Sequence, residues 1–584
     1  MALTSGACYS CRMSVFYHHG ISAHTRLTRL PSVLACGGLL LAAACGQQGA
    51  ADPGESGGDR GVGQEDPRPS VAAAFDLGWT DETAARGLGG ISSTCTNVAF
   101  GDMDGDGAPD LIVPGAPGFR VYRNDGAGQF SLWSTVDGGL VEMIFQQCAV
   151  TLADMDGDGR LDVGLGIDDP TRAIGVFFND GDGAFTAAFG DLEGPDPLRR
   201  SYCMGVARGS GGKKTLFVCR MILGATLVVQ PEDCGYDARG VNVECPVDIA
   251  KPTSRAWDIV GRSLVPSTDP ALSMVSNTQG LGISDFDGDG GDDLFIATDF
   301  EKQVALRGGQ GGFEDVSTAW GADVFGHGMG VALGDIDEDG YTDAVVTTIG
   351  GFIDLKGLGP DGFELRGDLS PYSTHRRNVW PWAALFVDLD NNGHQDFFAA
   401  NEFSSTSEEE PVRWMLTLGG DLDFVGAFHT IVFKDGATSY REARLPFDAI
   451  LPEHGRGQSF STADVDGDGR LEVALSLMRA AERDVFDVVL GRPEGTGFGH
   501  GLTVRFSGAP APVGTVVSLD CGGRTQTRRI YGAEGTGAAA RGEAHFGCGE
   551  ATTYEGLRVV IPGRAPIELP GGPLDQAVVV PLAP

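Results

Sequence analysis

One acidic loop motif, present in six copies, limits what this chain can fold into. The first copy, "GDMDGDGAPD", places Asp102, Asp104, Asp106 and Asp110 at positions 1, 3, 5 and 9 of a short loop between two apolar runs. Four carboxylates held so close together repel one another unless a cation lies among them. A hard cation that takes six to eight oxygen ligands, such as Ca²⁺, fits this arrangement.

The spacing of the first copy recurs five times, which makes the signal far more specific than a single match. Each copy offers oxygen-bearing side chains at the same four positions, and we therefore expect about six bound Ca²⁺ ions. The other copies contain Asp154, Asp156, Asp158 and Asp162; Asp285, Asp287, Asp289 and Asp293; Asp335, Asp337, Asp339 and Asp343; Asp388, Asp390, Asn392 and Asp396; and Asp464, Asp466, Asp468 and Glu472.

An EF-hand opens in the same way, but it needs a bidentate Glu at position 12 and a helix on each side. Stretches that follow the loops, such as "DLIVPG" and "DLFIAT", are short and rich in β-branched and apolar residues, which is typical of strands. The pattern therefore favours a calcium loop between two strands. Position 12 is apolar in every copy: Val113, Leu165, Ile296, Val346, Ala399 and Leu475.

The distance between copies indicates the architecture. Successive first ligands lie about 50 residues apart, with two exceptions. The step from 154 to 285 is much longer, and the step from 388 to 464 is somewhat longer. Within the long step, "SYCMGVARGSGGKKTLFVCR" has two apolar runs around a Gly-rich loop that lacks acids. We interpret it as a repeat without an ion, with a four-stranded blade between residues 195 and 235 and an insertion after it. Four short strands per repeat, with hairpin turns such as "NDGAG", predict an all-β fold: a seven-bladed β-propeller.

We number the loops by repeat. Loop 3 is the acid-free segment 207–214, where we expect no ion. Loops 1, 2, 4, 5, 6 and 7 are residues 102–110, 154–162, 285–293, 335–343, 388–396 and 464–472.

Residues 95–480 resemble the FG-GAP/VCBS repeats of integrin α-chain propellers and of many bacterial surface proteins. Phe100-Gly101 and Gly115-Ala116-Pro117 match the letters of that motif, and "GFEDVSTAWGA" resembles a connector found in the cartilage acidic protein group. The stretches "VGTVVSLDCGGRTQTRRI", "HFGCGE" and "LRVVIPG" resemble the ASPIC/UnbV domain that follows the propeller in that group. The resemblance implies a propeller over 71–498 and a small C-terminal β domain over 499–584.

The first 70 residues have the layout of an exported protein. Arg26 and Arg29 precede an apolar stretch that ends in small residues before Cys45, as in a signal peptide over 1–45. "LAAAC" followed by Gly46 resembles the bacterial lipobox, which would make Cys45 the lipidated residue; Cys36 is a second candidate. We expect an outer-membrane or cell-surface lipoprotein with a flexible linker over 46–70, and secretion or a periplasmic location is the alternative.

Eight of the twelve cysteines remain once the signal peptide and Cys45 are set aside, and an even number in an exported chain predicts disulfides. Proximity within one segment favours two of the pairs, and the other two complete the set. The expected pairs are Cys234 with Cys245, Cys521 with Cys548, Cys95 with Cys148, and Cys203 with Cys219.

Charge and motifs narrow the function. A net charge of −38 and the lack of a Lys/Arg-rich run argue against nucleic acid, and against a membrane contact other than the lipid anchor. The chain contains no G-x-S-x-G, H-E-x-x-H or glycine-rich phosphate motif, and an active site is usually singular whereas these loops repeat. We expect a binding protein rather than an enzyme; the alternative is an exported polysaccharide lyase or hydrolase with its site at the channel mouth.

One set of positions is a candidate for ligand binding. None of the residues found eight positions before the first ligand of each repeat is aliphatic, and a ring of repeats would place them around one channel mouth. Trp380, Arg456 and His327 are suited to binding a glycan or protein ligand in a cell-adhesion role, although polar strand starts can also simply face solvent. The full set is Thr94, Gln146, Arg199, Asn277, His327, Trp380 and Arg456.

Overall fold

A computed structural model describes most of the chain after residue 69. The described residues are 70–138, 148–169, 172–191, 199–209, 212–222, 235–236, 242–244, 254–273, 275, 277–299, 301–309, 311–348, 351–366, 379–404, 428–446, 450, 454–479, 485–495, 497–534 and 542–582. The expected signal peptide, Cys45 and most of the linker lie outside them. The elements named within these ranges are strands, with 3₁₀ turns at Ala271–Ser273 and Gly359–Asp361. No helix in the described ranges is long and apolar enough to cross a membrane.

Seven antiparallel sheets follow one another between residues 70 and 494 of the described chain, and we number them 1 to 7. The strands of sheets 1 to 3 are Ala99–Gly101, Asp110–Gly115, Gly118–Asn124 and Phe130–Asp137; Val150–Ala153, Asp162–Asp169, Arg172–Gly181 and Ala184–Asp191; and Arg199–Arg208, Lys214–Ile222, Arg255–Val260 and Ser263–Pro266.

Sheets 4 to 7 repeat the same order of neighbouring strands. Their strands are Thr278–Ser284, Asp293–Thr298, Val304–Gly309 and Gly312–Asp315; Gly328–Gly334, Asp343–Thr348, Gly351–Gly357 and Phe363–Leu365; Val379–Val387, Asp396–Ser404, Phe428–Lys434 and Ser439–Pro446; and His454–Ala463, Glu472–Arg479 and Phe486–Glu494. Two-stranded ladders join Gly235–Tyr236 to Asn242–Glu244 and Glu301–Lys302 to Phe325–Gly326.

The sheets form a closed ring. The first strand of each sheet contacts the first strand of the next, and that of sheet 7 contacts that of sheet 1. The N-terminal segment completes the last two sheets: Ser70–Asp76 adds to sheet 6 in parallel with Ser439–Pro446, and Gly78–Asp81 pairs antiparallel with Phe486–Glu494 of sheet 7, against which Ser92–Ser93 also pairs. The chain is therefore an all-β propeller closed by its own N-terminal strand. Seven blades stays our prediction of their number.

The third sheet differs from our expectation in its extent. Its two inner strands fall between residues 195 and 235, but its two outer strands come only at Arg255–Val260 and Ser263–Pro266. The expectation that all four strands lie before residue 235 is wrong, because the insertion lies between the second and third strands of the sheet rather than beyond them.

A second β unit follows the ring. Its strands form a three-stranded and a four-stranded sheet around one apolar core that includes Val504, Leu519 and Phe546. The strands are Gly501–Ser507, Val516–Cys521, Arg524–Arg529, Ala544–Gly547, Thr553–Val560, Ile567–Pro573 and Gln576–Pro581. We call residues 501–582 the C-terminal domain; the exact boundaries at 70/71 and 498/499 stay predictions.

Three of the four expected disulfides are confirmed. Cys95 bonds to Cys148, Cys203 to Cys219, and Cys521 to Cys548. Cys203 and Cys219 lie directly opposite each other on the two inner strands of sheet 3. Cys234 and Cys245 lie outside the described residues. These bonds suggest an exported or extracellular protein, since disulfides persist in oxidising compartments.

Candidate metal centres

Each acidic loop connects the first strand of its sheet to the second, as the sequence indicates. Position 9 is the first residue of the second strand in every case, so the loop begins where one strand ends and closes on the start of the next. These residues are Asp110, Asp162, Asp293, Asp343, Asp396 and Glu472.

The loop turns tightly because positions 4 and 6 have a left-handed backbone. Gly105 and Gly107 in loop 1 have φ angles of 80° and 90°, values that favour glycine. Position 6 is glycine throughout, and two loops depart from glycine at position 4. Glu338 in loop 5 and Asn391 in loop 6 have φ angles of 63° and 58°. A side chain at such a position carries a local cost, which is smaller for Asn than for most residues.

The tight turn brings carboxylates together. In each of five loops, three carboxylate oxygens lie within 4.8 Å of one another. Oxygens that surround one Ca²⁺ at about 2.4 Å can be at most about 4.8 Å apart, so each group has the dimensions of one ion site. The groups are Asp102, Asp104 and Asp110; Asp154, Asp156 and Asp162; Asp285, Asp287 and Asp289; Asp335, Asp337 and Asp339; and Asp388, Asp390 and Asp396.

The position-9 carboxylate also holds the sheet together, a role that the sequence pattern does not reveal. In loop 1, the Met103 N–H donates to Asp110 Oδ2 (2.9 Å) and the Asn124 N–H of the third strand donates to Asp110 Oδ1 (2.8 Å). Asp293 accepts the N–H groups of Phe286 and Gly308 in the same way, both at 2.8 Å. One buried side chain thus ties the loop and the third strand to the start of the second strand.

The burial of carboxylate oxygens in the acidic loops favours a bound cation. The Oδ1 atoms of Asp285 and Asp335 are buried and accept no hydrogen bond from the described residues. Burial is the main cause that raises the pKa of Asp110 and Asp293 to about 8 and of Asp162 to about 7, with neighbouring carboxylates adding to it and backbone N–H donors opposing it. Acids in such surroundings fit Ca²⁺, since an ion supplies the missing oxygen partner and favours the ionised form.

Basic side chains around the loops were not foreseen from the sequence, because they come from distant segments. Arg262 in the hairpin of sheet 3 contacts Asp156 of loop 2 (2.6 Å), and Arg86, from the segment before sheet 1, contacts Asp466 of loop 7 (2.6 Å). Other pairs involve Arg123, Lys356, Arg366, Arg441 and Arg492. These cations reduce the net charge at each loop, although a cation on one side leaves the enclosed oxygens facing one another.

The lysines of the acid-free loop 3 contact one carboxylate of loop 2 and one of their own sheet. Lys214 Nζ lies 3.6 Å from Asp154 Oδ1 of loop 2, and Lys213 Nζ lies 2.6 Å from Asp258 Oδ2 of the third strand in its own sheet. Lysines therefore stand near the positions that carboxylates take in the other loops. An ion is still not expected at loop 3.

The proposed ligand residues lie in different surroundings. Trp380 is half-buried, packs against an apolar cluster and donates its indole N–H to Met329 Sδ at 2.9 Å. His327 Nδ1 lies 2.9 Å from Asp299 Oδ1, and Asn277 is buried. Trp380 lies in the first strand of sheet 6, and His327 directly precedes the first strand of the adjoining sheet 5. Gln146 and the side chains of Arg199 and Arg456 lie outside the described residues, so the structure brings together only part of this set.

Comparisons with known proteins bear on the same segments. A model described as an FG-GAP-like repeat matches residues 102–165 and 285–346, and one described as ASPIC and UnbV matches residues 507–580. Cartilage acidic protein 1 of Xenopus tropicalis is 26% identical over 224 residues, which is 35% of this chain and 29% of that protein. The chain therefore spans less than a third of the length of this relative.

Solved structures with distant likeness include three proteins. Sqt1 of Saccharomyces cerevisiae matches at 9% identity with a TM-score of 0.37 over 68% of this chain and 84% of its own. The Dos1 propeller matches at 7% identity with a TM-score of 0.34, over 68% of this chain and 77% of its own. The third is a lectin of Agrocybe aegerita that recognises non-reducing terminal N-acetylglucosamine. It matches at 15% identity with a TM-score of 0.28, over 68% of this chain and 79% of its own. Likeness this distant assigns no function, and the fold rests on the ring of sheets itself.

The matched segments coincide with two parts of the described structure. The FG-GAP-like matches begin at the first ligands of loops 1 and 4, Asp102 and Asp285, and each ends within the strand that follows the next acidic loop. The other match covers most of the C-terminal domain. This chain is therefore a β-propeller protein that contains FG-GAP-like repeats and a C-terminal ASPIC/UnbV domain.

Proposed function

We propose that this protein is an exported, calcium-binding β-propeller that acts as a binding or adhesion module for a glycan or protein ligand at the cell surface. The observation that carries the calcium part is the grouping of three carboxylate oxygens within 4.8 Å in one loop after another. Such oxygen-only groups suit Ca²⁺ better than softer metals. With an ion in each loop, the first and second strands of six blades are fixed at one end.

Residues 102, 104, 106 and 110 are the proposed ligands in loop 1, and the equivalent residues in the other five acidic loops take the same roles. Ca²⁺ supplies positive charge to a loop that otherwise holds several partly buried carboxylates. The chain's own contribution is to place those oxygens: the glycines allow the turn, and the position-9 carboxylate is fixed by two backbone N–H groups. The proposed role of the ions is structural.

Export and lipid attachment at Cys45 form part of the proposal. The three disulfides support an oxidising compartment. A lipid on Cys45, followed by the linker over 46–70, would leave the propeller free to reach partners away from the membrane. Labelling with a palmitate analogue, compared between the natural chain and Cys45→Ala in a bacterial host, tests the lipid: loss of label in the variant is expected, and persistent label would move the site to Cys36.

Ligand binding is proposed at the starts of the first strands, opposite the acidic loops, where each repeat contributes a different side chain. Trp380 offers an aromatic face that is partly exposed, and His327 and Arg456 add hydrogen-bond donors. A few such residues usually carry most of the binding free energy. The ligand class is the part of the proposal that needs an unbiased test.

A combined glycan and peptide array, probed with the calcium-loaded protein, is that test. We expect one class of ligand whose binding is lost in a Trp380→Ala, Arg456→Ala double variant. Arg307→Ala, on the third strand of sheet 4 and outside this set of positions, is the control and should retain binding. Full binding by the double variant would contradict the placement of the site, and turnover of a bound polysaccharide would replace the binding module by an enzyme.

A further inference from the structure

The C-terminal domain contacts loops 5, 6 and 7 of the propeller, and in loop 6 its contacts reach a proposed ligand side chain. The Gly547 N–H donates to Asp388 Oδ2 at 2.9 Å, and Asp388 is position 1 of loop 6. The Gly549 N–H donates to the Asn391 carbonyl oxygen at 2.8 Å. Arg528 also approaches Asp388 Oδ2, at 3.8 Å. A strand of one domain thus lies directly over an acidic loop of the other.

The two loops with a side chain at position 4 use it for this contact. Asn391 Oδ1 lies 2.7 Å from His545 Nε2 of the C-terminal domain, while Asn391 Nδ2 donates to the Gly469 carbonyl oxygen of loop 7 at 2.9 Å. Glu338 Oε2 accepts from Arg524 at 3.1 Å. Loops 1, 2, 4 and 7 have glycine at this position. In loops 5 and 6 the non-glycine residue, which costs backbone strain, therefore contacts the C-terminal domain. Loop 7 meets the same domain through its backbone, since the Asp464 N–H donates to Glu543 Oε1 at 3.0 Å.

Burial sets loop 6 apart from the other acidic groups. Asp388, Asp390 and Asp396 are 1%, 4% and 0% exposed. In loop 4, by contrast, Asp285 and Asp287 are half-buried and Asp289 is exposed. An ion in loop 4 can exchange directly with solvent, whereas an ion in loop 6 lies beneath the C-terminal domain.

We propose that loop 6 is a calcium-dependent joint: the C-terminal domain encloses the ion of this loop, and the ion in turn holds that domain on the propeller. This inference rests on the proposed calcium binding and adds a specific role for one site. Binding and docking are reciprocal, because a domain whose docking strengthens the binding of an ion is itself held more strongly when that ion is bound. Asp388 connects the two events, since its carboxylate serves both the ion and the Gly547 N–H.

The test is the release of ⁴⁵Ca²⁺ from the full mature chain after excess chelator is added. We expect one ion per chain to leave at least about tenfold more slowly than the others, because the hydrogen bond from Gly547 to a charged group must break first. Asn391→Gly keeps the left-handed turn and all the proposed ligands but removes the contact with His545. It should quicken the slow phase by about threefold to tenfold.

Gly547→Ala is a second variant that acts from the other side. A Cβ at this position would lie 2.4 Å from Asp388 Oδ2 and 2.2 Å from the Asn391 carbonyl carbon, so it should abolish the slow phase. Gly556→Ala, in the same domain with no contact closer than 3.7 Å, is its control and should leave the phase unchanged. Gly288→Asn in loop 4, where a Cβ meets nothing within 4 Å, is the control for Asn391→Gly and should not create a second slow ion.

The outcomes separate this inference from the proposed function. A chain that binds no calcium overturns both. Calcium that leaves in a single fast phase overturns the joint while calcium binding stands. A slow phase that survives in Asn391→Gly and Gly547→Ala alike also overturns the joint. Faster backbone amide exchange over Ala544–Gly547 in chelator than in Ca²⁺, by about tenfold or more, would support it independently.

Discussion

Tyr202 of sheet 3 and Trp382 of sheet 6 stack on each other, with ring centroids 6.1 Å apart and an interplanar angle of 10°. Sheets 3 and 6 are not neighbours in the ring, so this contact crosses its interior. Both side chains are 9% exposed. This pair of aromatic side chains therefore occupies part of the interior of the ring and connects two sheets that are not neighbours.

Truncation of this stack should weaken the whole ring. Trp382→Ala removes a buried aromatic side chain and leaves a cavity, which typically costs about 3–5 kcal/mol. The melting temperature of the calcium-loaded protein should fall clearly, and Trp382→Phe should restore part of the loss. Trp133→Ala, a half-buried tryptophan of sheet 1, is the control and should have a smaller effect. Equal melting temperatures for Trp382→Ala and the natural chain would contradict the stack.

Two positions of one loop should respond differently when calcium is absent. Asp293→Asn replaces an acceptor oxygen by an amide NH₂ group beside the N–H groups of Phe286 and Gly308, which should lower the free energy of unfolding by about 1–3 kcal/mol. Asp287→Asn keeps an oxygen for the Asp289 N–H and removes a repelling charge, so in chelator its stability should be unchanged or higher. Urea unfolding in chelator measures both, and equal effects would contradict the position-9 role.

The pH dependence of the metal-free protein should have an unusual sign. Burial raises the pKa of Asp110 and Asp293 to about 8 and of Glu472 to about 9, above the values near 4 expected in the unfolded chain. At a pH between the unfolded and the folded pKa values, the folded state binds more protons than the unfolded state. The free energy of unfolding therefore falls as pH rises through this range. In chelator, the melting temperature should therefore drop from pH 6.5 to 8.5. This window lies above the range in which His429, whose pKa burial lowers to about 3, would add the opposite slope.

Calcium should remove this slope, because an ion holds the loop carboxylates in their ionised form at both pH values. The comparison is the same pair of melting temperatures in excess Ca²⁺. A rise in stability with pH in chelator would show that the buried acids are stabilised in their charged form by the protein alone, and would remove one argument for the ions.

Local patterns in the sequence predicted the repeated features well. The spacing of Asp102, Asp104, Asp106 and Asp110 is enough to predict a strand–loop–strand unit, because the acids and the alternating apolar runs are close together in the chain. The disulfide between Cys521 and Cys548 followed from proximity for the same reason. Repetition then made the ring a natural way to bury both faces of each sheet.

Contacts between segments that are far apart in the chain could not be predicted from the sequence. Nothing near Gly78–Asp81 indicates that this strand would complete sheet 7, more than 400 residues away. The outer strands of sheet 3 were misplaced because an insertion of unknown path precedes Arg255. The enclosure of loop 6 also depends on where the C-terminal domain docks. The non-glycine residues at 338 and 391 were the available signal, and their meaning appears only once Arg524 and His545 lie beside them.

The number of calcium ions per chain tests the central claim most directly. Protein loaded with Ca²⁺, freed of unbound ion and measured by elemental analysis should contain about six ions, and Asp156→Ala should contain one fewer. The melting temperature should fall in excess chelator, because an ion that binds only the folded state stabilises it. A chain that retains no calcium and melts at the same temperature with and without chelator would contradict the account.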